Sequence, residues 1–188
     1  MKVYFYFNIA GFSNCYLIVN EITKEALIVD PGKVTGELID QIEGGGYKLC
    51  AILVTHSHAS HIKGLSTLKK IYDADVYAAD VETPQSGTTV LKDDGELKIA
   101  GFTIQYQSLP GHSADSMIYK IGQAIFTGDT LSAGRIGSTG SRYGKQTLQN
   151  NIKSKILSCP DNTVLLPGHG PLTTVGCEKL YNAEIYRK

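Results

Sequence analysis

The run L-C-A-I-L-V-T-H-S-H-A-S-H, Leu49 to His61, places six apolar residues directly before three closely spaced histidines. A short, continuous apolar run reads as a strand buried on both faces. His56, His58 and His61 then fall where the strand Leu49 to Val54 ends. Apolar spacing from His61 to Tyr72 predicts a helix beginning where the cluster stops. Chemistry-bearing side chains are thus delivered at the C-terminal end of a strand, and the question is what they hold.

Upstream, Val3 to Phe7, Cys15 to Val19 and Ala26 to Val29 read as consecutive strands, with turns at Gly11 to Asn14 and at Thr23-Lys24, which predicts an antiparallel meander. After D-P-G at Asp30 to Gly32, the spacing Val34, Leu38, Ile42 predicts a helix that stops at three glycines. Downstream, strands are expected at Asp75 to Ala79, Glu96 to Ile99, Phe102 to Gln107, Met117 to Ile121 and Ala124 to Phe126. A helix near Gln146 to Leu157, a strand Thr163 to Leu166 and a final helix complete the order. Two halves of strands followed by helices predict an α/β architecture of two packed sheets with helices outside, in a single domain over 1–188 without linkers.

Composition narrows the function. Lys plus Arg and Asp plus Glu are both 18, so neither a basic surplus for nucleic acid nor an acidic, solvating tail is present. The expected partner is a small-molecule substrate, with no nucleic acid and no membrane, and a homodimer is compatible with the sequence. The N-terminal apolar stretch is interrupted by Asn8, Gly11, Ser13 and Asn14 and has no cleavage motif, so it reads as strand rather than signal peptide. Cys15, Cys50, Cys159 and Cys177 contain no C-x-x-C pair and read as reduced, buried thiols, which points to the cytoplasm.

All five histidines follow apolar runs in loop or glycine contexts: the first three, then His112 in L-P-G-H-S and His169 in L-P-G-H-G. One such histidine is ordinarily a surface or hydrogen-bonded core residue. Five in this arrangement, joined by Asp129 in F-T-G-D-T-L, read as a metal site, because neutral imidazole is the commonest metal ligand and strand-end loops converge. Gly111, Gly128 and Gly168 each precede a candidate ligand, where a glycine permits the turn that swings the next side chain into a shared site.

Taken in order, T-H-S-H-A-S-H, P-G-H-S, T-G-D-T and P-G-H-G resemble the metal motifs of the metallo-β-lactamase superfamily, whose usual first motif is H-x-H-x-D-H. N-C-Y-L-I-V and I-V-D-P-G near the start, with P-G-H-G-P-L-T-T-V-G-C-E-K near the end, are similar to the small glyoxalase II-like hydrolases. The resemblance implies an αββα four-layer sandwich of two mixed sheets. It also implies that the C-terminal helical domain that helps hold glutathione is missing here. A first metal site falls on His56, His58 and His112, a second on His61 and His169, with Asp129 bridging. Zinc is the implied cofactor, with iron or manganese as alternatives.

Where the family motif has aspartate, this chain has Ser60. Two dications carry +4, and Asp129 with a bridging hydroxide offsets only −2, leaving +2 where an aspartate would leave about +1. One tightly bound ion and a weakened second site are therefore expected. The implied chemistry is hydrolysis of a small thioester or ester by water activated on metal, with Asp129 orienting it and Ser60 bordering the reacting ions. The same departure raises two alternatives. One is a single-iron persulfide dioxygenase using His56, His112 and Asp129, and the other is a degenerate metal-binding member with little activity. In the segment after Asp129, relatives often carry G-R-T-D where this chain has Gly137 to Gly140; Arg135, Arg142 and Tyr143 read there as a solvated loop.

Overall fold

A computed structural model describes residues 1–79 and 87–186. The first sheet orders its strands β1 (Lys2–Asn8), β2 (Ser13–Val19), β3 (Glu25–Val29), β4 (Lys48–Leu53), β5 (Asp75–Ala78) and β6 (Thr88–Val90). The β1–β2–β3 meander is antiparallel, and β3 through β6 run parallel. The second sheet has the order β14 (Thr173–Thr174), β13 (Val164–Pro167), β10 (Ala124–Gly128), β9 (Met117–Ile121), β8 (Phe102–Ser108) and β7 (Gly95–Ile99). It is antiparallel except for the β10–β13 pair. A small hairpin, β11 (Leu131–Ser132) and β12 (Arg135–Ile136), stands apart.

Strand alternation builds the layers. In β2, Cys15, Leu17 and Val19 face the core shared with α1 (Gly36–Gly44) and α3 (Leu65–Ile71), while Tyr16 and Ile18 face the core between the sheets. In β10, Ala124 and Phe126 join that central core, whereas Ile125 faces a third core with Leu148 of α4 (Arg142–Asn151) and Val175 of α5 (Val175–Tyr181). Three cores separate four layers, the expected αββα sandwich, because each sheet is buried on both faces.

Several expected boundaries move. The first helix begins at Gly36, not Val34, because the Thr35 hydroxyl caps it by accepting from the Leu38 amide. The single helix expected over His61 to Tyr72 is two: α2 (Ala59–Ile62) and α3, broken at Lys63-Gly64. A Cβ on Gly64 would lie 2.5 Å from the Pro31 carbonyl oxygen, whose bond from the Gly64 amide (2.7 Å) pins the break. The helix near Gln146 to Leu157 starts at Arg142 and ends in a π-helical turn over Ile152–Ile156. The four cysteines are free, but only Cys15 is buried; Cys177 is exposed and the other two are half-buried. Among the described residues no helix is long and apolar enough to cross a membrane.

The two sheets meet closely at one end. Tyr119 donates its hydroxyl to the Val54 carbonyl (2.8 Å), and the Asn14 side chain donates to the carbonyls of Pro167 and Gly170, both at 2.8 Å. That end carries the C-termini of β3, β4, β10 and β13, and therefore the loops that hold the histidines.

Candidate metal centre

The six candidate ligands arrive there from five supports. His56 and His58 occupy the β4–α2 loop, and His112 the β8–β9 loop; Asp129 follows β10 and His169 follows β13. His61 lies inside the one-turn helix α2, which begins two residues before the helix expected from His61. One ligand atom from each of His56, His58, His112 and Asp129 lies within 4.8 Å of the others, and the same holds for His61, Asp129 and His169. All six predicted side chains converge, and Asp129 belongs to both groups. Its Oδ2 faces three Nε2 atoms, those of His61 (3.4 Å), His56 (3.7 Å) and His112 (3.7 Å), while Oδ1 lies 2.7 Å from His169 Nδ1.

Hydrogen bonds on the far side of each ring fix which nitrogen is offered. Asp30 Oδ2 can only accept, so His61 Nδ1 donates to it (3.0 Å) and turns Nε2 inward. Thr55 gives its own hydroxyl proton to Asp30 Oδ2 (2.6 Å), so it accepts from His56 Nδ1 at 3.1 Å, with the same result. His112 Nδ1 donates to the Ser138 carbonyl (3.0 Å), leaving Nε2 3.1 Å from His58 Nδ1. His169 is oriented the other way: Nε2 donates to the Gly11 carbonyl (3.1 Å), and Nδ1 faces the carboxylate.

Electrostatics follow from this packing. Burial, assisted by the charge on His61, pulls the His56 pKa down to about 4 and keeps that ring neutral. Burial also opposes charge on His61, but the Asp30 carboxylate bonded to Nδ1 and the Asp129 carboxylate facing Nε2 at 3.4 Å outweigh it and raise its pKa to about 10. His169 is raised first by its hydrogen bond to Asp129. Burial disfavours ionisation of Asp129, yet the hydrogen bond from His169 and the His61 ring beside Oδ2 hold its carboxyl far below the usual range.

Several supporting groups were not legible in the sequence. Asp30, buried with φ +53°, also accepts from the Thr55 amide (2.8 Å), so one carboxylate organises the residue before the cluster and the last histidine in it. D-P-G reads as a turn, and only the tertiary contact reveals this role. Asp115 accepts from the Ser57 amide (2.7 Å) and anchors the loop between His56 and His58. The glycines divide by cause. Gly111 and Gly128 adopt positive φ, as turn geometry predicts; at Gly168 the cause is space, since a Cβ would lie 2.5 Å from His61 Cε1 and 2.8 Å from Asp129 Oδ1. Arg135, Arg142 and Tyr143 are exposed, as expected, but not on a loop: Arg135 lies in β12, and Arg142 and Tyr143 open α4.

His56 Nε2 and His61 Nε2 are buried without a hydrogen-bond partner. Burying an unsatisfied polar nitrogen costs on the order of 1–3 kcal/mol, and a divalent ion among these imidazoles and the carboxylate satisfies both. The donor set therefore fits a transition metal. The family profile described as metallo-beta-lactamase superfamily matches residues 8–169. The chain belongs to the metallo-β-lactamase superfamily. Within that superfamily it is 33% identical to the probable metallo-hydrolase YqgX of Bacillus subtilis, covering 90% of each chain. It is 31% identical to the hydroxyacylglutathione hydrolase GloC of Haemophilus influenzae, over 90% of this chain and 91% of the relative. The crystal structure of ETHE1 from Myxococcus xanthus matches with a TM-score of 0.84 at 26% identity, over 97% of this chain and 83% of that one. The metallo-hydrolase relatives and the His/Asp cluster together support a metal-dependent hydrolase.

Proposed function

We propose that the chain is a cytoplasmic hydrolase of small-molecule thioesters or esters, with the scissile carbonyl brought to the strand-end cluster. The observation that carries the reading is the shared carboxylate: Asp129 belongs to both ligand groups and faces four imidazoles. Likeness to hydroxyacylglutathione hydrolase GloC over 90% of the chain supports the thioester class. His56, His58, His112 and Asp129 would hold one ion tightly, zinc first, with iron or manganese also suited to this donor set. A bound ion supplies a Lewis acid and an activated water at neutral pH. The chain's own contribution is to orient the attacking water through Asp129 and to keep His56 and His61 with Nε2 inward through Thr55 and Asp30. The free thiols accord with this reading, which takes residues 1–188 as a single domain.

Native purification followed by elemental analysis and hydrolysis of S-lactoylglutathione tests it. About one zinc, iron or manganese per chain and metal-dependent turnover are expected. A chain that carries none, and regains none on incubation with these ions, overturns the reading.

A second reading has its own support. The likeness to ETHE1, together with Ser60 in place of a carboxylate, favours a single iron on His56, His112 and Asp129 acting in O₂-dependent persulfide oxidation. Consumption of O₂ with glutathione persulfide, without thioester turnover, selects it.

A further inference from the structure

A cleft of about 590 Å³ borders the metal centre and shares a wall with it. Gly11, in the β1–β2 turn, lines the cleft while its carbonyl accepts from His169 Nε2, and Ser60 lines it from between His58 and His61. Sites for small metabolites typically enclose roughly 300–1,000 Å³, so the space suits one arm of a substrate whose reacting carbonyl lies at the metals.

The charge on its walls is one-sided. Lys33 and Lys63 line it, no carboxylate does, and neither lysine forms a salt bridge among the described residues, unlike Lys155 with Asp94 or Lys179 with Asp161. The two lysines sit on segments locked together. Gly64, next to Lys63, donates its amide to the Pro31 carbonyl in the loop that carries Lys33, and a Cβ on Gly32 would collide with the Ser60 carbonyl oxygen. The bond at the break between α2 and α3 thus ties the segment that carries Lys63 to the one that carries Lys33. The Ser60 hydroxyl has no protein partner among the described residues; only its backbone carbonyl is engaged, by Ser13. An aspartate at position 60 would place an anion in this wall and oppose an anionic ligand; serine leaves a neutral donor.

Building on the hydrolase reading above, we propose that this cleft is an anion subsite for the substrate. Lys33 and Lys63 hold a carboxylate or phosphate on the substrate's non-reacting arm, and Ser60 adds a hydrogen bond. Each exposed charge contact changes affinity roughly two- to fivefold, so the pair amounts to about tenfold. Ionic strength should weaken it, because both ammonium groups are solvated.

The test compares three thioesters on the metal-loaded enzyme: S-lactoylglutathione, with carboxylates; acetyl-coenzyme A, with phosphates; and neutral S-phenyl thioacetate. The reading is the ratio of kcat/KM for each anionic thioester to that for the neutral one. In Lys33→Gln/Lys63→Gln this ratio is expected to fall about tenfold through KM, and added salt should reduce the ratio of the wild type. Lys48→Gln/Lys98→Gln, which removes two charges elsewhere, is the control. A fall confined to S-lactoylglutathione identifies the carboxylate arm, and one confined to acetyl-coenzyme A identifies the phosphate. An unchanged ratio with turnover intact overturns the subsite and leaves the hydrolase standing. If no thioester is hydrolysed, calorimetric titration with S-methylglutathione and with coenzyme A decides the subsite separately. Binding that is weakened by the lysine changes supports it, and binding that is absent or unchanged overturns it.

Discussion

The two ligand groups use the same residue types and share Asp129, but they are supported differently. The first brings four ligand atoms together, two of them on rings whose outer nitrogens are fixed by Thr55 and Ser138. The second brings only three. Its inner member, His61, is fully buried against the Asp30 carboxylate, whereas the side chain of His169 remains 36% exposed and leans on the carbonyl of a turn. A site short of one anionic ligand can still be rigid on one side. Affinity is therefore set by the count and charge of ligands, and orientation by what stands behind them.

The comparison breaks most directly at the ligands. His56→Ala is expected to lower retained metal and S-lactoylglutathione turnover by at least about 100-fold, because it opens the four-ligand group and unseats its neighbours. His169→Ala should cost far less metal. Equal loss in both, measured by elemental analysis after dialysis, would mean that the two groups bind as one.

Next in size is Asp30→Asn, which sharpens the role of the support. Asparagine retains acceptor capacity but not the charge that faces His61, so second-ion affinity should fall about 10- to 100-fold. The metal-free protein should also lose on the order of 3 kcal/mol of stability in urea unfolding. An unaltered midpoint would remove Asp30 from the account.

Ser60→Asp tests the missing ligand from the other side. It restores a carboxylate beside His61 and should tighten the second ion by about tenfold, measured by competition with a metallochromic chelator. A Cβ at Gly11 would lie 3.1 Å from the Ser60 Cβ, so the glycine keeps that side of position 60 clear. No change in stoichiometry or affinity would show that position 60 does not govern the second ion.

The smallest effect is a slope with pH. The folded state raises the His61 pKa to about 10 from an unfolded value near 6.5. It therefore binds that proton more tightly than the unfolded chain does. The associated stability is complete below about pH 6.5 and declines as pH rises toward 10. Chelator-stripped protein should accordingly show a Tm that falls between about pH 6.5 and 8.5, before thiols begin to ionise. In Asp30→Asn that slope should flatten.

Much of the fold was legible because its strands carry clean signals. The apolar runs at Cys15 to Val19, Leu49 to Val54 and Ala124 to Phe126 place buried strands, and the last two lead into candidate ligands. Short or capped elements were less legible. The strands Thr88–Val90 and Thr173–Thr174 are too short to show a period, and the α2–α3 break depends on a contact with Pro31, far away in the chain.

By itself the sequence singled out the candidate ligands: His56, His58, His61, His112, Asp129 and His169 are residue types that bind metal, gathered in loop and strand-end contexts. It also determined the serine at position 60. The tertiary structure alone decided which nitrogen each ring presents, that Asp30 stands behind both Thr55 and His61, and that Lys33 and Lys63 face one cleft. The reason is physical. Burial follows from composition and local period, which a chain displays along its length, whereas hydrogen-bond partners and shared cleft walls depend on distances that exist only after two sheets have packed.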